Sequence, residues 1–133
     1  GTQLIELTYS GSTGTRTITP GNMTEANCIS FNVTAGSDSV AITGVGSFRD
    51  LNFTGFSGVG FSSWSNYVIP YGDLTLSSTM TTGTPSFPTN LVWFNSLKDV
   101  SLTTNGRVLN CNIQLYIIYY YHKYFYLKIH NIL

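Results

Sequence analysis

The sequence predicts an all-β fold: a single antiparallel β-sandwich of jelly-roll or immunoglobulin-like type, with about nine short strands and no substantial helix. Three observations lead there. Cys28–Thr34 alternates cleanly, with Ile29, Phe31 and Val33 on one side and Ser30, Asn32 and Thr34 on the other. A strand with one buried and one wet face needs that pattern. Similar short runs recur at roughly 8–12-residue spacing between Gly, Pro, Asn and Asp clusters. No stretch combines a 3.6-residue apolar period with an N-cap and a closing Gly, so no helix is expected.

Taken in order, Gln3–Tyr9 reads as the first strand, and Ser10–Gly14 as a turn in which Gly supplies positive φ. Thr15–Thr19 follows as a Thr-rich strand, and Thr19-Pro20-Gly21-Asn22 carries the type II turn signature. Cys28–Thr34, the reversal Ala35–Asp38 and Ser39–Thr43 read as a hairpin. Asp50–Thr54 is a further strand, and residues 53–71 are aromatics spaced by Gly and Ser. Asp73–Met80 and Leu91–Phe94 are strands on either side of a Pro-containing loop. Val100–Thr104, Asn105-Gly106 and Arg107–Cys111 read as a second hairpin, because Asn-Gly fits both positive-φ positions of a type I′ turn. No internal repeat stands out.

A chain of 133 residues is one domain by length and can bury roughly two-thirds of its unfolded surface. Charged residues make up only 9%, while 18 Thr and 15 Ser supply hydroxyls. Low charge with many hydroxyls and β-branched residues points to an exported protein, extracellular or at the cell surface. Gly1 reads as a mature or fragment terminus. Residues 1–111 carry four cationic and six acidic side chains, a net of −2, and residues 112–133 carry Lys123 and Lys128 with no acid. Neither part holds the clustered Lys and Arg of a phosphate-binding surface, so no nucleic-acid partner is expected.

Composition breaks near residue 105, which divides the chain into a β-sandwich domain, 1–111, and a Tyr/Ile-rich tail, 112–133. Fifteen of residues 113–133 are apolar or aromatic. His122, Lys123, Lys128 and His130 interrupt this run, which argues against a membrane span. Two readings stay open for the tail. It is a terminal strand able to pair in cis or with a neighbouring copy through Leu115–Leu127, or it is a non-native extension.

Three Asn-x-Thr sequons mark Asn22, Asn32 and Asn52 as candidate glycosylation sites. Random order of this composition gives about three sequons, so position rather than number speaks for Asn32, on the wet face of its strand. Cys28 and Cys111 are a candidate disulfide that would close a loop of more than 80 residues, worth roughly 4–5 kcal/mol by loop entropy. Two cysteines and two tail histidines lack zinc-ligand spacing, so neither metal nor cofactor is expected. Trp64, Asn66 and Tyr67 are the candidate ligand-binding residues, two flat rings and an amide suited to a sugar. The Phe residues are expected in the core.

Catalysis finds little support. Gly-x-Ser-x-Gly is absent, both histidines lie in the tail, and Asp38, Asp50, Asp73 and Asp99 sit at turns or strand ends, where Asp is common for backbone reasons. Residues 10–48, through Thr17-Ile18-Thr19-Pro20 and Cys28-Ile29-Ser30-Phe31-Asn32-Val33, resemble the opening of a CUB-type extracellular sandwich. That family's second cysteine pair and calcium-binding acidic cluster are not evident, and the family is not assigned. The expected function is a non-enzymatic, N-glycosylated surface or matrix domain acting in adhesion or in binding of carbohydrate or protein. The alternative is a structural subunit of an extracellular filament or coat assembled through the C-terminal strand, with a secreted hydrolase third.

Overall fold

The computed structural model describes residues 4–7, 14–21, 23–43, 46–64, 67–82, 91–96, 99–108, 112–115 and 127–130. These hold fourteen short strands and no helix. In chain order they are β1 (Leu4–Leu7), β2 (Thr15–Ile18), β3 (Ser30–Val33), β4 (Ser39–Ile42), β5 (Gly46–Phe48), β6 (Leu51–Asn52) and β7 (Val59–Trp64). There follow β8 (Tyr67–Pro70), β9 (Leu74–Thr75), β10 (Thr81–Thr82), β11 (Leu91–Phe94), β12 (Val100–Thr103), β13 (Asn112–Leu115) and β14 (Leu127–His130).

Three sheets result. The long sheet has the order β1-β3-β6-β9-β12-β14, the second β10-β7-β4-β2 and the third β13-β11-β8-β5. Every pairing is parallel. From β3 to β12 the chain visits the long, second and third sheets in rotation. Successive strands of the long sheet start at residues 30, 51, 74 and 100, steps of 21, 23 and 26 residues. This is a parallel β-helix, a coil in which each turn stacks on the one before.

The expected antiparallel sandwich is therefore overturned, although its all-β character holds. Alternation with period two is common to both architectures, because each has one face on a core and one in water. The connections differ. Ala35–Asp38 does not reverse the chain. It turns a corner from β3 in the long sheet to β4 in the second, with Gly36 at φ 96°. Asn105 and Gly106 do take the positive φ values that the dipeptide favours, 50° and 77°. Yet they lead out of β12 toward β13, which pairs with β11 in parallel. Both expected hairpins are thus corners of the coil.

Inward side chains stack turn upon turn. Phe31, Leu51, Leu74 and Leu102 are register partners on adjacent strands of the long sheet, and none exceeds 7% exposure. Ile18 stacks on Ile42 in the second sheet and Val68 on Val92 in the third. Phe53 and Phe56 are fully buried, as expected, with ring centroids 5.8 Å apart. Phe31 meets Phe48 across the core edge to face, at 5.2 Å and 82°. A Cβ on Gly60 would overlap Cε of Met80, so that fully buried side chain would have to shift to admit it.

At one end of the second sheet, Arg16 on β2 is paired with Val40 and reaches the corner that precedes β4. Its Nη2 lies 3.2 Å from Oδ2 of Asp38. That carboxylate is fully buried, while the Arg16 side chain is 51% exposed. In the tail, β13 pairs with β11 and β14 with β12. The remainder of Leu115–Leu127, the segment expected to mediate self-association, lies outside the described residues.

Candidate functional site

A five-residue pattern builds the outer face of the long sheet. It reads Ser30-Phe31-Asn32-Val33-Thr34, Asp50-Leu51-Asn52-Phe53-Thr54, Asp73-Leu74-Thr75-Leu76-Ser77 and Ser101-Leu102-Thr103-Thr104-Asn105. The second residue of each points into the core, so the first and third face outward. In register, Asn32, Asn52, Thr75 and Thr103 form one row across the strands. Ser30, Asp50, Asp73 and Ser101 form a second row beside it. Neighbours within a row stand about 4.8 Å apart, the spacing of paired strands.

Hydrogen bonds run along the second row. The Ser30 hydroxyl donates to Asp50 Oδ2 at 2.8 Å, and the Asp73 backbone N–H donates to Asp50 Oδ1 at 2.9 Å. The Ser101 N–H and hydroxyl both donate to Asp73 Oδ1 at 2.8 Å. In the first row, Asn52 Oδ1 accepts from the Thr54 N–H at 2.9 Å and from its hydroxyl at 2.7 Å. The carboxylates thus stitch successive turns together and hold a fixed polar surface. A groove of about 330 Å³ crosses it, lined by Ser30, Asn32, Asp50, Asn52, Asp73 and Thr75.

A second cavity of about 240 Å³ lies at the corner where the chain enters the long sheet, and it shares Asp50 and Asp73 with the groove. Arg49, Tyr71, Gly72 and Asp99 complete its body side, and Glu25 and Cys28 close it from the loop before β3. Burial raises the Cys28 thiol above its ordinary value of 9.0, a rise that Arg49 and a backbone hydrogen bond partly offset. Burial likewise raises the Tyr71 phenol above 10.0, helped by the negative charge that Cys28 carries once it ionises and by that of Glu25. Both groups therefore stay protonated at neutral pH. Tyr71 donates its O–H to Met23 O at 3.1 Å.

The aromatic site expected from the sequence lies elsewhere. Trp64 ends β7 in the second sheet and Tyr67 begins β8 in the third, opposite Ile42 and Leu91. Asn66 lies outside the described residues, and neither Trp64 nor Tyr67 belongs to the long sheet. Of the sequon residues, Asn32 and Asn52 are direct register partners, half-buried on the outer face, while Asn22 lies outside the described residues. Cys28 is a buried free thiol whose Sγ donates to Glu25 O at 3.4 Å. Its expected disulfide partner, Cys111, is outside the described residues. Among the described residues no group of three or more His, Cys, Asp or Glu could hold a metal ion. Nor does any helix among them have the length and apolarity to cross a membrane.

Sequence reasoning passed over Asp50 and Asp73. The signal was the repeated five-residue pattern, hidden because its copies do not recur at one fixed step. Fold and site together define a parallel β-helix carrying a polar groove across its turns. Comparison with protein-family models, curated protein sequences and solved structures finds no match for the chain.

Proposed function

We propose that the protein is a non-enzymatic extracellular binding domain that holds a hydroxyl-rich carbohydrate chain in the groove of its long sheet. One observation carries the reading. Amide, hydroxyl and carboxylate groups from three successive turns line one continuous groove, with the carboxylates already fixed by the fold. Such rigid, convergent donors and acceptors suit a ligand that offers many hydroxyls in a row. The low charge and hydroxyl-rich composition support the extracellular placement. A glycan on Asn32 or Asn52 would fill the groove, so the reading requires both side chains to be bare.

Binding to a panel of soluble polysaccharides, measured by calorimetry, tests this. Asn52→Leu should weaken the ligand found at least tenfold, because a lost bond and an unpaired ligand hydroxyl each cost about 1 kcal/mol or more. Absence of any ligand in the panel, or unchanged affinity in the variant, refutes the reading. Intact mass of protein from a eukaryotic secretory host should also show Asn32 and Asn52 unmodified.

A second reading, glycoside hydrolysis, draws on Asp50 and Asp73 lining the same groove from adjacent turns. Against it, both oxygens of Asp50 already accept hydrogen bonds within the fold. Release of reducing ends from the bound polysaccharide, abolished by Asp73→Asn, would replace the binding reading with this one.

A further inference from the structure

Residues 23–28 form a turn closed by its own hydrogen bonds. The Asn27 and Cys28 N–H groups both donate to Thr24 O, at 3.1 and 2.9 Å. Asn27 Oδ1 in return accepts from the Thr24 N–H at 2.8 Å and from its hydroxyl at 3.0 Å. Four bonds thus close one turn upon itself, so it moves as a body or not at all. Among the described residues, two side-chain hydrogen bonds tie it to later turns of the coil. Tyr71 Oη donates to Met23 O at 3.1 Å, and Ser96 Oγ donates to Glu25 Oε1 at 3.1 Å. These bonds come from residues 48 and 71 positions further along the chain, so the segment straps across several turns at once. Of its six residues only Cys28 is buried, at 2% exposure. Little apolar surface therefore holds it down.

Its two ends differ. On the C-terminal side the chain is fixed at once, because Arg49 N–H donates to Ile29 O at 2.8 Å and Phe31 N–H to Asp50 O at 2.9 Å. On the N-terminal side Gly21 sits at φ 79° with open space where a Cβ would be. The strap walls the corner cavity with Glu25 and Cys28, against Arg49, Asp50 and Asp73 of the body. We infer that residues 23–28 are a flap, latched by Tyr71 and Ser96, which lifts off the body as a rigid turn, pivoting on its fixed Ile29 end, and uncovers Cys28 and the corner end of the groove. Gating of ligand entry by this flap rests on the binding reading. The flap itself does not.

Cys28 reports the motion without any ligand. Cys111→Ser leaves it as the sole thiol of the chain. Its alkylation by iodoacetamide is then followed by mass spectrometry on the folded protein, below the denaturant or temperature of unfolding. Each latch bond should hold the closed state by roughly fivefold, the worth of one net hydrogen bond. Tyr71→Phe and Ser96→Ala should each raise the labelling rate by about that factor, and together by about twenty-fivefold. Ile42→Val, a core change in the second sheet, should lower the melting temperature and leave the labelling rate of Cys28 unchanged. Latch variants that label no faster overturn the flap. So does an Ile42→Val variant whose labelling accelerates in step with its loss of stability, since Cys28 would then be exposed only by global unfolding. Neither result touches the carbohydrate reading, which stands or falls on calorimetry.

Discussion

The ion pair of Arg16 and Asp38 gives the sharpest test of the architecture, because it ties the outermost strand of the second sheet to a corner one turn away. At 3.2 Å, and with an effective dielectric of about 20, the gross attraction is roughly 5 kcal/mol. Two facts of the structure reduce it. The Arg16 side chain is half exposed and screened by water, and Asp38 is fully buried and has lost its hydration. Moreover, Asp38 Oδ1 has no hydrogen-bond partner, so the guanidinium is the main compensation for that buried charge. Breaking a fully buried pair from one side costs about 3–5 kcal/mol. With one partner half in water, we expect about 2 kcal/mol for Arg16→Met, or roughly 7 °C in melting temperature for a chain of this size. The assay is a double-mutant cycle by urea denaturation, using Arg16→Met, Asp38→Asn and the pair. The two losses should fail to add by about 1–2 kcal/mol. A coupling below about 0.3 kcal/mol, or an Arg16→Met variant as stable as the parent, would show that β2 is not held in this way.

Further expectations follow from the packing and the titrating groups. Leu74→Ala should cost about 3–4 kcal/mol, because hydrogen-bonded strands on both sides keep its cavity from collapsing, whereas Thr75→Ala on the outer face should cost under about 0.5 kcal/mol; equal costs would contradict the assigned register. Gly60→Ala should destabilise by about 1–3 kcal/mol through overlap with Met80 Cε, and Met80→Ala in the same chain should recover part of the loss, as read by thermal melts. Alkaline stability should also decline. The unfolded chain loses the Cys28 proton near pH 9.0 while the folded state keeps it, so stability is whole below that pH and falls above it, by at most about 1.4 kcal/mol per pH unit. Tyr71 adds to the fall above pH 10.0. Cys28→Ala should flatten the first part of the decline, and an unchanged pH profile in that variant would refute the assignment.

Much of the strand content is legible in residue pattern, and the way strands meet is not. Ile29, Phe31 and Val33 declare a buried face whether their neighbours run parallel or antiparallel. The gap Ala35–Asp38 is too short for an ordinary parallel crossover, which made a hairpin the natural expectation. A coil escapes that rule, because its chain turns a corner into a new sheet and meets the first again only a full turn later. The groove escapes a residue-by-residue reading for a related reason. Asp50 and Asp73, taken singly, look like the aspartates of any strand end. Only their shared position before Leu-Asn-Phe-Thr and Leu-Thr-Leu-Ser shows them to be equivalent, and unequal corner lengths obscure that equivalence. The same pattern bears on the sequons: Asn32-Val33-Thr34 and Asn52-Phe53-Thr54 are two copies of a structural phrase. Trp64 and Tyr67 stand out by their chemistry, and chemistry alone does not say which sheet a residue joins.

Register partners at residues 31, 51, 74 and 102 are 20, 23 and 28 residues apart, so corners absorb length while the strands keep register. Size in this molecule is therefore quantised. Inserting one whole turn would lengthen the groove by a single strand spacing, about 4.8 Å, and leave every existing contact between the other turns in place. The groove is a ruler whose graduations are turns, and under the proposed binding reading the length of carbohydrate it spans follows from how many turns the chain contains.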